Sequence, residues 1–470
     1  MEEVFIPVSA HPSPKPVLLD RETPSILKLA GFLSLSGLFS TSAILIDANM
    51  VGPIGDETLA GLGLCAGLYG IFMALLFGLG SGAQILLTRA FGAGDMGLFY
   101  KRLQRMMALG LAMSLILVLL FRFNINFLVD WLATTSGIGF AAKRYLALMV
   151  YAPPLSFAAY LLTISFDVRR QAPRELKGFA IEIPLNVILN ALLIYGWFGS
   201  PELGIRGAAI ATLISQGARL LYLVILTMGD MRTELTTSGP SPAAARDAAQ
   251  NTDGQEDEPL LPRSVLLPVT LNVAALIVGA QAYQLLFAQQ PYLTFAALAL
   301  MTPWLSVANV LGRAVAMSAT LTCADLAPGS ADLRKAIGSV LAALRLLAPR
   351  LALLFVGVTL LADALSWHIS DWVRINFLLL IPYGGVLVLV RTVSVTIGAI
   401  LRATDRPKWV FWVQVGLQWG FGVPVLLVCT YAFDLSLYIV YGILILEEML
   451  RLGIMALRLR NHMKPQVSAE

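Results

Sequence analysis

Apolar stretches of about 20 residues, the length a helix needs to cross roughly 30 Å of hydrocarbon, recur along nearly the whole chain. Twelve are read, at 26–50, 57–88, 103–121, 144–166, 176–198, 205–228, 265–289, 293–321, 337–362, 376–401, 409–432 and 435–457. Proline inside a span removes a helix hydrogen bond, so kinks or breaks are expected at Pro153-Pro154, Pro303 and Pro349. One polar, small-residue-rich and acidic segment, Gly229 to Ser264, interrupts this pattern and reads as a disordered linker. The organisation expected is a cytosolic tail at 1–24, an N-lobe of six spans at 25–228, a flexible linker at 229–263, a C-lobe of six spans at 264–458 and a tail at 459–470.

The two halves are similar to each other. Gly80-Ser81-Gly82-Ala83 after the second span matches Gly312-Arg313-Ala314-Val315 at an offset of 232, and VRRQAPR at 168–174 matches RATDRPK at 402–408 at an offset of 234. Two segments agreeing on nearly one offset point to a duplicated six-helix unit, the repeat logic of secondary transporters. An even number of spans gives both copies one orientation, related by an axis along the membrane normal.

Composition supports the membrane reading and fixes the orientation. The 470 residues are 57% hydrophobic and 13% charged, with a mean hydropathy of +0.77. Placing both termini in the cytoplasm puts 22 of the 33 lysines and arginines on the cytoplasmic side and five outside, which follows the positive-inside rule. The net charge of +4 is explained by those loops and calls for no nucleic-acid partner. Cys65, Cys323 and Cys429 have no CxxC spacing and read as packing residues. The first 24 residues lack the order of a signal peptide.

Ionisable groups inside a membrane are costly and mark function. Asp47 ends the run from Ile26 to Ile46, in which only Lys28 is charged. It either caps the outer end of its span or faces an internal polar site. Asn186 and Asn190 are four apart on the fifth span, hence on one helical face. Ala208, Thr212, Ser215 and Gln216 share a face of the sixth. Together these residues suggest a polar pocket able to hold a sodium ion by oxygens or a proton on the carboxylate. Each polar residue taken singly reads as interhelical hydrogen bonding.

The segments IDANMVGPIGDETLAGLGL, GLGSGAQILLTRAFGAGD, PLNVILNALLIYG and PELGIRGAAIATLISQ resemble the N-terminal half of the multidrug and toxic compound extrusion (MATE) family. The likeness covers about residues 26–228, and the second half only through LRATDRPK at 401–408. It implies an all-α integral membrane protein with twelve transmembrane helices in two six-helix lobes about a central cavity. The implied activity is multidrug efflux of lipophilic, often cationic compounds, driven by inward flow of Na+ or H+. It further implies an N-lobe cation site at Asp47, Asn186, the Ala208 carbonyl and Thr212. Asn190 departs from the family, which usually has a second aspartate there, so Asp47 alone would neutralise a bound sodium ion.

The remaining expectations concern cargo and setting. Relatives that couple through acids of the seventh and tenth spans have no counterpart here: those spans carry Tyr383 and Arg391 but no Asp or Glu. Glu182 lines a cytoplasmic cavity or pairs with Arg219; Gln216, Tyr383 and Arg391 are further cavity candidates. Arg313 and Arg391 would repel a cationic drug if they faced the cavity, and would favour an anionic or zwitterionic cargo or pair with backbone carbonyls. Glu447, Glu448 and Arg451 read as helix-surface ion pairs. Tyr69, Phe72, Phe157, Tyr160, Tyr283, Met301 and Trp304 are candidates for a cargo wall or for packing.

Two alternatives are weighed. Gly92-Ala93-Gly94-Asp95 formally fits the GxGD pattern of intramembrane aspartyl proteases, but no Tyr-Asp pair supplies the second carboxylate. His11, His368 and His462 are peripheral, which disfavours histidine or metal catalysis, so no enzyme and no cofactor beyond a coupling ion is expected. The nearer competitor is a flippase for a lipid-linked oligosaccharide, whose diphosphate Arg313, Arg345, Arg350 and Arg391 would hold. The expected partners are a small amphiphilic substrate and the lipid bilayer, with no nucleic acid, in a monomer of the bacterial inner membrane with cytoplasmic termini.

Overall fold

The computed structural model describes residues 38–39, 45–169, 171–237, 261–323, 331–365, 370–404, 407–433 and 436–463, and their regular structure is entirely helical. The expectations for the N-terminal tail, for residues 464–470, for most of the first span, for residues 238–260 of the linker and for His368 lie outside the described residues; residues 459–463 of the expected C-terminal tail continue the last helix.

The helices are α1 (45–51), α2 (Asp56–Gly92), α3 (Met96–Leu132), α4 (Ser136–Met149), α5 (Ala152–Val168), α6 (Ala172–Tyr195) and α7 (Ile205–Thr237) in the first half. The second half has α8 (Arg263–Phe287), α9 (Tyr292–Cys323), α10 (Ala331–Leu365), α11 (Asp371–Thr404), α12 (Pro407–Leu417), α13 (Val423–Tyr431) and α14 (Leu437–Met463). Among the described residues nine helices are long and apolar enough to cross a membrane, or ten when α4 and α5 count as one bent span.

Local sequence accounts for the ends. A 3-10 turn, Gly52–Ile54, carries Pro53 and stops α1. Asp56 and Glu57 then occupy the first turn of α2, where the helix dipole favours acids. Thr135 caps α4 by accepting from the Ile138 N–H at 3.2 Å and donates to Glu57 at 2.6 Å. The break expected at Pro153-Pro154 is a 57° bend between α4 and α5. Pro303 and Pro349 break nothing; they sit inside continuous helices, as do Pro184, Pro268 and Pro382.

Three helices form the centre. About half or more of the apolar windows of α2, α9 and α11 is buried (61%, 61% and 50%), against 17% for α3, whose Leu119, Leu120, Phe123 and Phe127 are exposed in the manner of a lipid-facing surface. α2 runs antiparallel along α8, and glycines allow the approach: a Cβ on Gly78 would lie 2.3 Å from the Thr270 carbonyl oxygen. Ser370, before α11, donates to Asp56 at 2.6 Å and joins the halves at their outer ends.

The sixth span runs past residue 228 to Thr237. Asp230 and Glu234 on that extension are held by Arg169 of the α5 end, Arg174 of α6 and Tyr100 of α3, with contacts of 2.8 Å from Arg169 and Arg174 to Asp230 and from Tyr100 to Glu234. The charges that made this stretch read as linker therefore anchor it.

Candidate functional site

Asp47 lies one turn from the end of α1, 5% exposed, and its side chain points across to α6 and α7 instead of capping its own helix. The α6 face formed by Asn186 and Asn190 meets it: Asn190 Nδ2 donates to Asp47 Oδ1 at 2.8 Å and lies 3.2 Å from Asn186 Oδ1. α7 supplies Thr212, whose Oγ1 is 2.8 Å from Asp47 Oδ2 and 2.9 Å from the Ala208 carbonyl oxygen. Asn186 Nδ2 reaches the same hydroxyl at 3.4 Å. Tyr195, one turn beyond Asn190, donates to the Met50 carbonyl at 2.5 Å and clamps the end of α1 against α6.

Proton counting shows what this cluster lacks. The Thr212 hydroxyl has one hydrogen for two acceptors, and because the Ala208 carbonyl also accepts a backbone N–H within its helix, that hydrogen is free to turn to Asp47. Asn190 Oδ1 is buried with no hydrogen-bond partner among the described residues. Asp47 is reached by the Asn190 amide, the Thr212 hydroxyl and the Asn186 amide, all neutral, and no cationic side chain is among its partners in the described residues. Carboxylate, amide, hydroxyl and carbonyl groups gather here, with Asn190 presenting its amide nitrogen to Asp47; their oxygens are of the kind that suits a hard cation.

The other nominated N-half residues lie elsewhere. Glu182 pairs with Arg219 at 3.5 Å, and the same guanidinium reaches Glu175 at 3.5 Å, donates to Thr163 at 2.9 Å and stacks 3.7 Å from the Phe179 ring centroid. Gln216 accepts from Ser156 at 3.1 Å, which lies 2.9 Å from the Tyr69 hydroxyl, linking α7, α5 and α2. Phe72, Phe157 and Met301 are fully buried packing residues. Asp95 is the N-cap of α3, accepting from Leu98 N–H at 2.7 Å, which absorbs the GxGD pattern into helix capping.

A second polar region lies inside the C-half. A cavity of about 320 Å³ opens among α8, α9, α11, α12 and α14, lined by Tyr283, Asn309, Arg391, Gln418, Glu447 and Glu448 among others. Arg451 pairs with both Glu447 and, at 2.8 Å, Glu448; Tyr283 donates to Glu447 at 2.5 Å. Between α12 and α13 the chain forms a π-helical turn, Gln418–Gly422, a feature enriched at functional sites. Gln418 donates from it to the Leu276 carbonyl at 3.3 Å and Trp419 to that of Ala275 at 3.1 Å.

Of the two tenth-span candidates, Arg391 lines this cavity, whereas Tyr383 is not among its lining residues; the Tyr383 ring packs 6.2 Å from that of Tyr438. Arg345 and Arg350 are exposed on α10 and do not line the cavity. The acids at 447 and 448 form the expected helical pairs, yet they also face the cavity. Their burial in an apolar span, beside Gln414 and Gln418 four apart on the neighbouring span, was the sequence signal for this region.

Comparison with known proteins follows this geometry. The MatE family model matches residues 33–192. A probable multidrug resistance protein NorM of Bradyrhizobium diazoefficiens is 33% identical over 210 residues, 42% of this chain and 43% of that protein. The chain spans less than half the length of the curated relatives it matches. Two solved structures share the fold over nearly the whole chain at 15% identity. The eukaryotic MATE transporter AtDTX14 has a TM-score of 0.70, covering 94% of this chain and 96% of that one. An inward-facing multidrug resistance MATE family transporter of the MOP superfamily has a TM-score of 0.69, covering 91% and 94%.

Proposed function

We propose, for a chain that carries a MatE domain over residues 33–192 and has the fold of MATE transporters, that it is a secondary active efflux antiporter of a bacterial inner membrane. It exports lipophilic, often cationic compounds in exchange for Na+ or H+, and the exchange is coupled at Asp47. The halves at 25–228 and 264–458 are its two moving lobes.

The observation that carries this reading is the buried Asp47 carboxyl held by an amide N–H from α6 and a hydroxyl from α7, with no cationic side chain among its hydrogen-bond partners. A carboxylate in a membrane interior without a counter-charge is costly, and a bound Na+ or H+ removes the cost. Asp47 would hold the ion, with Asn186, Asn190, Thr212 and the Ala208 carbonyl completing the shell. Binding then stabilises whichever arrangement of α1, α6 and α7 brings these oxygens together, so loading and release of the ion bias the conformational equilibrium.

Relatives bearing the name multidrug resistance protein support the cargo class. The test is efflux of a fluorescent lipophilic cation from energised vesicles, with sodium added or omitted at fixed pH. Extrusion that follows one of the two ions is expected; extrusion indifferent to both overturns the antiport reading.

A second reading, export of an acidic amphiphile, is favoured by Arg391 in the C-half cavity. A flippase for a lipid-linked diphosphate has less support, because Arg345 and Arg350 lie outside that cavity.

A further inference from the structure

Two arginines meet in the C-half without carboxylate partners. The cavity of about 320 Å³ adjoins a second of about 190 Å³, lined by Asn309, Gly312, Arg313, Arg391, Thr392 and Val395; Asn309, Arg391 and Val395 are common to both. The close approach of α9 to α11 brings the turns that carry the two arginines to one level, where both line the smaller cavity: a Cβ on Gly312 would lie 3.2 Å from Thr392 Oγ1, and Arg313 and Arg391 are the chain neighbours of that pair. Among the described residues neither arginine has an ion-pair or hydrogen-bond partner, whereas Arg451, Arg219, Arg169 and Arg174 all do.

Packing does not demand these charges. At the offsets that relate the two halves, Arg313 corresponds to Ser81 and Arg391 to Phe157. Phe157 is fully buried, its ring filling the space beside Gly110. The repeat unit therefore folds with a neutral hydroxyl and an apolar ring where the C-half carries two cations. Glu447 and Glu448 face the same space but are engaged by Arg451 and Tyr283. Three arginines against two glutamates leave the lining with a formal charge of +1.

We infer that this C-half cavity is the cargo site and that Arg391, with Arg313, receives an acidic group of the cargo, a carboxylate or its equivalent on an amphiphilic molecule. This rests on the export reading and takes its second form, with an acidic cargo. A guanidinium presents a planar fork of donors matched to a carboxylate. In a cavity only partly open to solvent such a pair forms with less competition from water than on an exposed surface. Apolar walls from Leu276, Phe287, Leu298 and Leu305 take the rest of the molecule, and Gln414 and Gln418 offer amide contacts.

The test uses binding, which is independent of coupling. The full-length protein in nanodiscs is titrated with dansylglycine and with dansylglycinamide, against empty nanodiscs. The two probes differ only in the acidic group. Wild type is expected to bind the acid about tenfold more tightly, the scale of a charge-assisted contact. Arg391→Gln and Arg313→Gln each reduce that preference while holding the amide within about twofold, which also reports that the cavity is intact. Arg345→Gln, exposed on α10, keeps the preference. Equal or absent saturable binding of the two probes by wild type overturns the inference. So does a preference that survives both cavity substitutions, or an equal loss of both probes in each. A clear preference in binding without any ion-driven transport would instead overturn the antiport reading and leave the site standing.

Discussion

Asn190 of α6 donates from its amide to Asp47 of α1 at 2.8 Å, across 143 residues of sequence, and its own amide oxygen is buried without a partner. The contact joins the membrane-buried acid of the first helix to a residue that stands where a second acid is usual in the resembled family. Under the proposed coupling role, one carboxylate against one monovalent cation would leave no residual charge.

Thr212 tests the completeness of the oxygen shell. Thr212→Val keeps the shape and removes the hydroxyl shared by Asp47 and the Ala208 carbonyl. A hydrogen bond of this kind contributes about 1 kcal/mol, so the ion concentration for half-maximal transport is expected to rise about fivefold, with Thr212→Ser near wild type. An unchanged ion dependence in the valine variant would remove Thr212 from the site.

Asn190→Asp replaces the donor with a second carboxylate in contact with Asp47. Two like charges this close, with a hydrogen bond lost, cost about 1–3 kcal/mol when no cation is bound. The thermal midpoint in sodium-free buffer near neutral pH is expected to fall by several degrees, and the ion the site accepts should restore most of it. A midpoint insensitive to both sodium and pH would contradict a cation-binding cluster.

Arg219 is the cation shared by two acids of α6, Glu175 and Glu182. Its replacement by alanine leaves those buried charges without it and is expected to cost about 3–5 kcal/mol, read as a large loss of thermal stability. Glu182→Gln in the same background should recover part of the loss. Full stability of Arg219→Ala would show that the triad is solvated.

Gly78 sits where α2 touches the backbone of α8. A methyl there meets the Thr270 carbonyl at 2.3 Å, and backbone yields less readily than a side chain. Gly78→Ala is expected to destabilise by about 1–3 kcal/mol through overpacking and to slow transport without changing the ion dependence. Wild-type stability and turnover would show that the helices separate freely at this level.

Much of this was readable in the chain because membrane helices constrain what polar residues do. The four-residue spacing of Asn186 and Asn190 and of Ala208 and Thr212 fixed their faces, and Asp47 needed a partner, so the cluster followed. The bend at Pro153 was legible for the same reason. At Pro303 and Pro349 the helix runs on unbroken, so of the kink or break expected there the break is absent. The extension to Thr237 was hidden because its acids looked like linker, their arginine partners lying about 60 residues away. Glu447 and Glu448 were read as local pairs with Arg451, which they are; that they also face a cavity depends on how α14 packs against α8. The π-helical turn at Gln418–Gly422 exists through tertiary contacts to the Ala275 and Leu276 carbonyls, which a linear reading of the chain does not contain.

The most direct measurement of the coupling role is dye flux in proteoliposomes under an imposed sodium gradient at fixed pH and, separately, an imposed pH gradient without sodium, comparing wild type with Asp47→Asn. Wild type is expected to accelerate with one of the gradients, and Asp47→Asn to move dye only down its own gradient, with neither ion altering the rate. An Asp47→Asn protein that responds to the gradient as wild type does would contradict the assignment of coupling to this carboxylate.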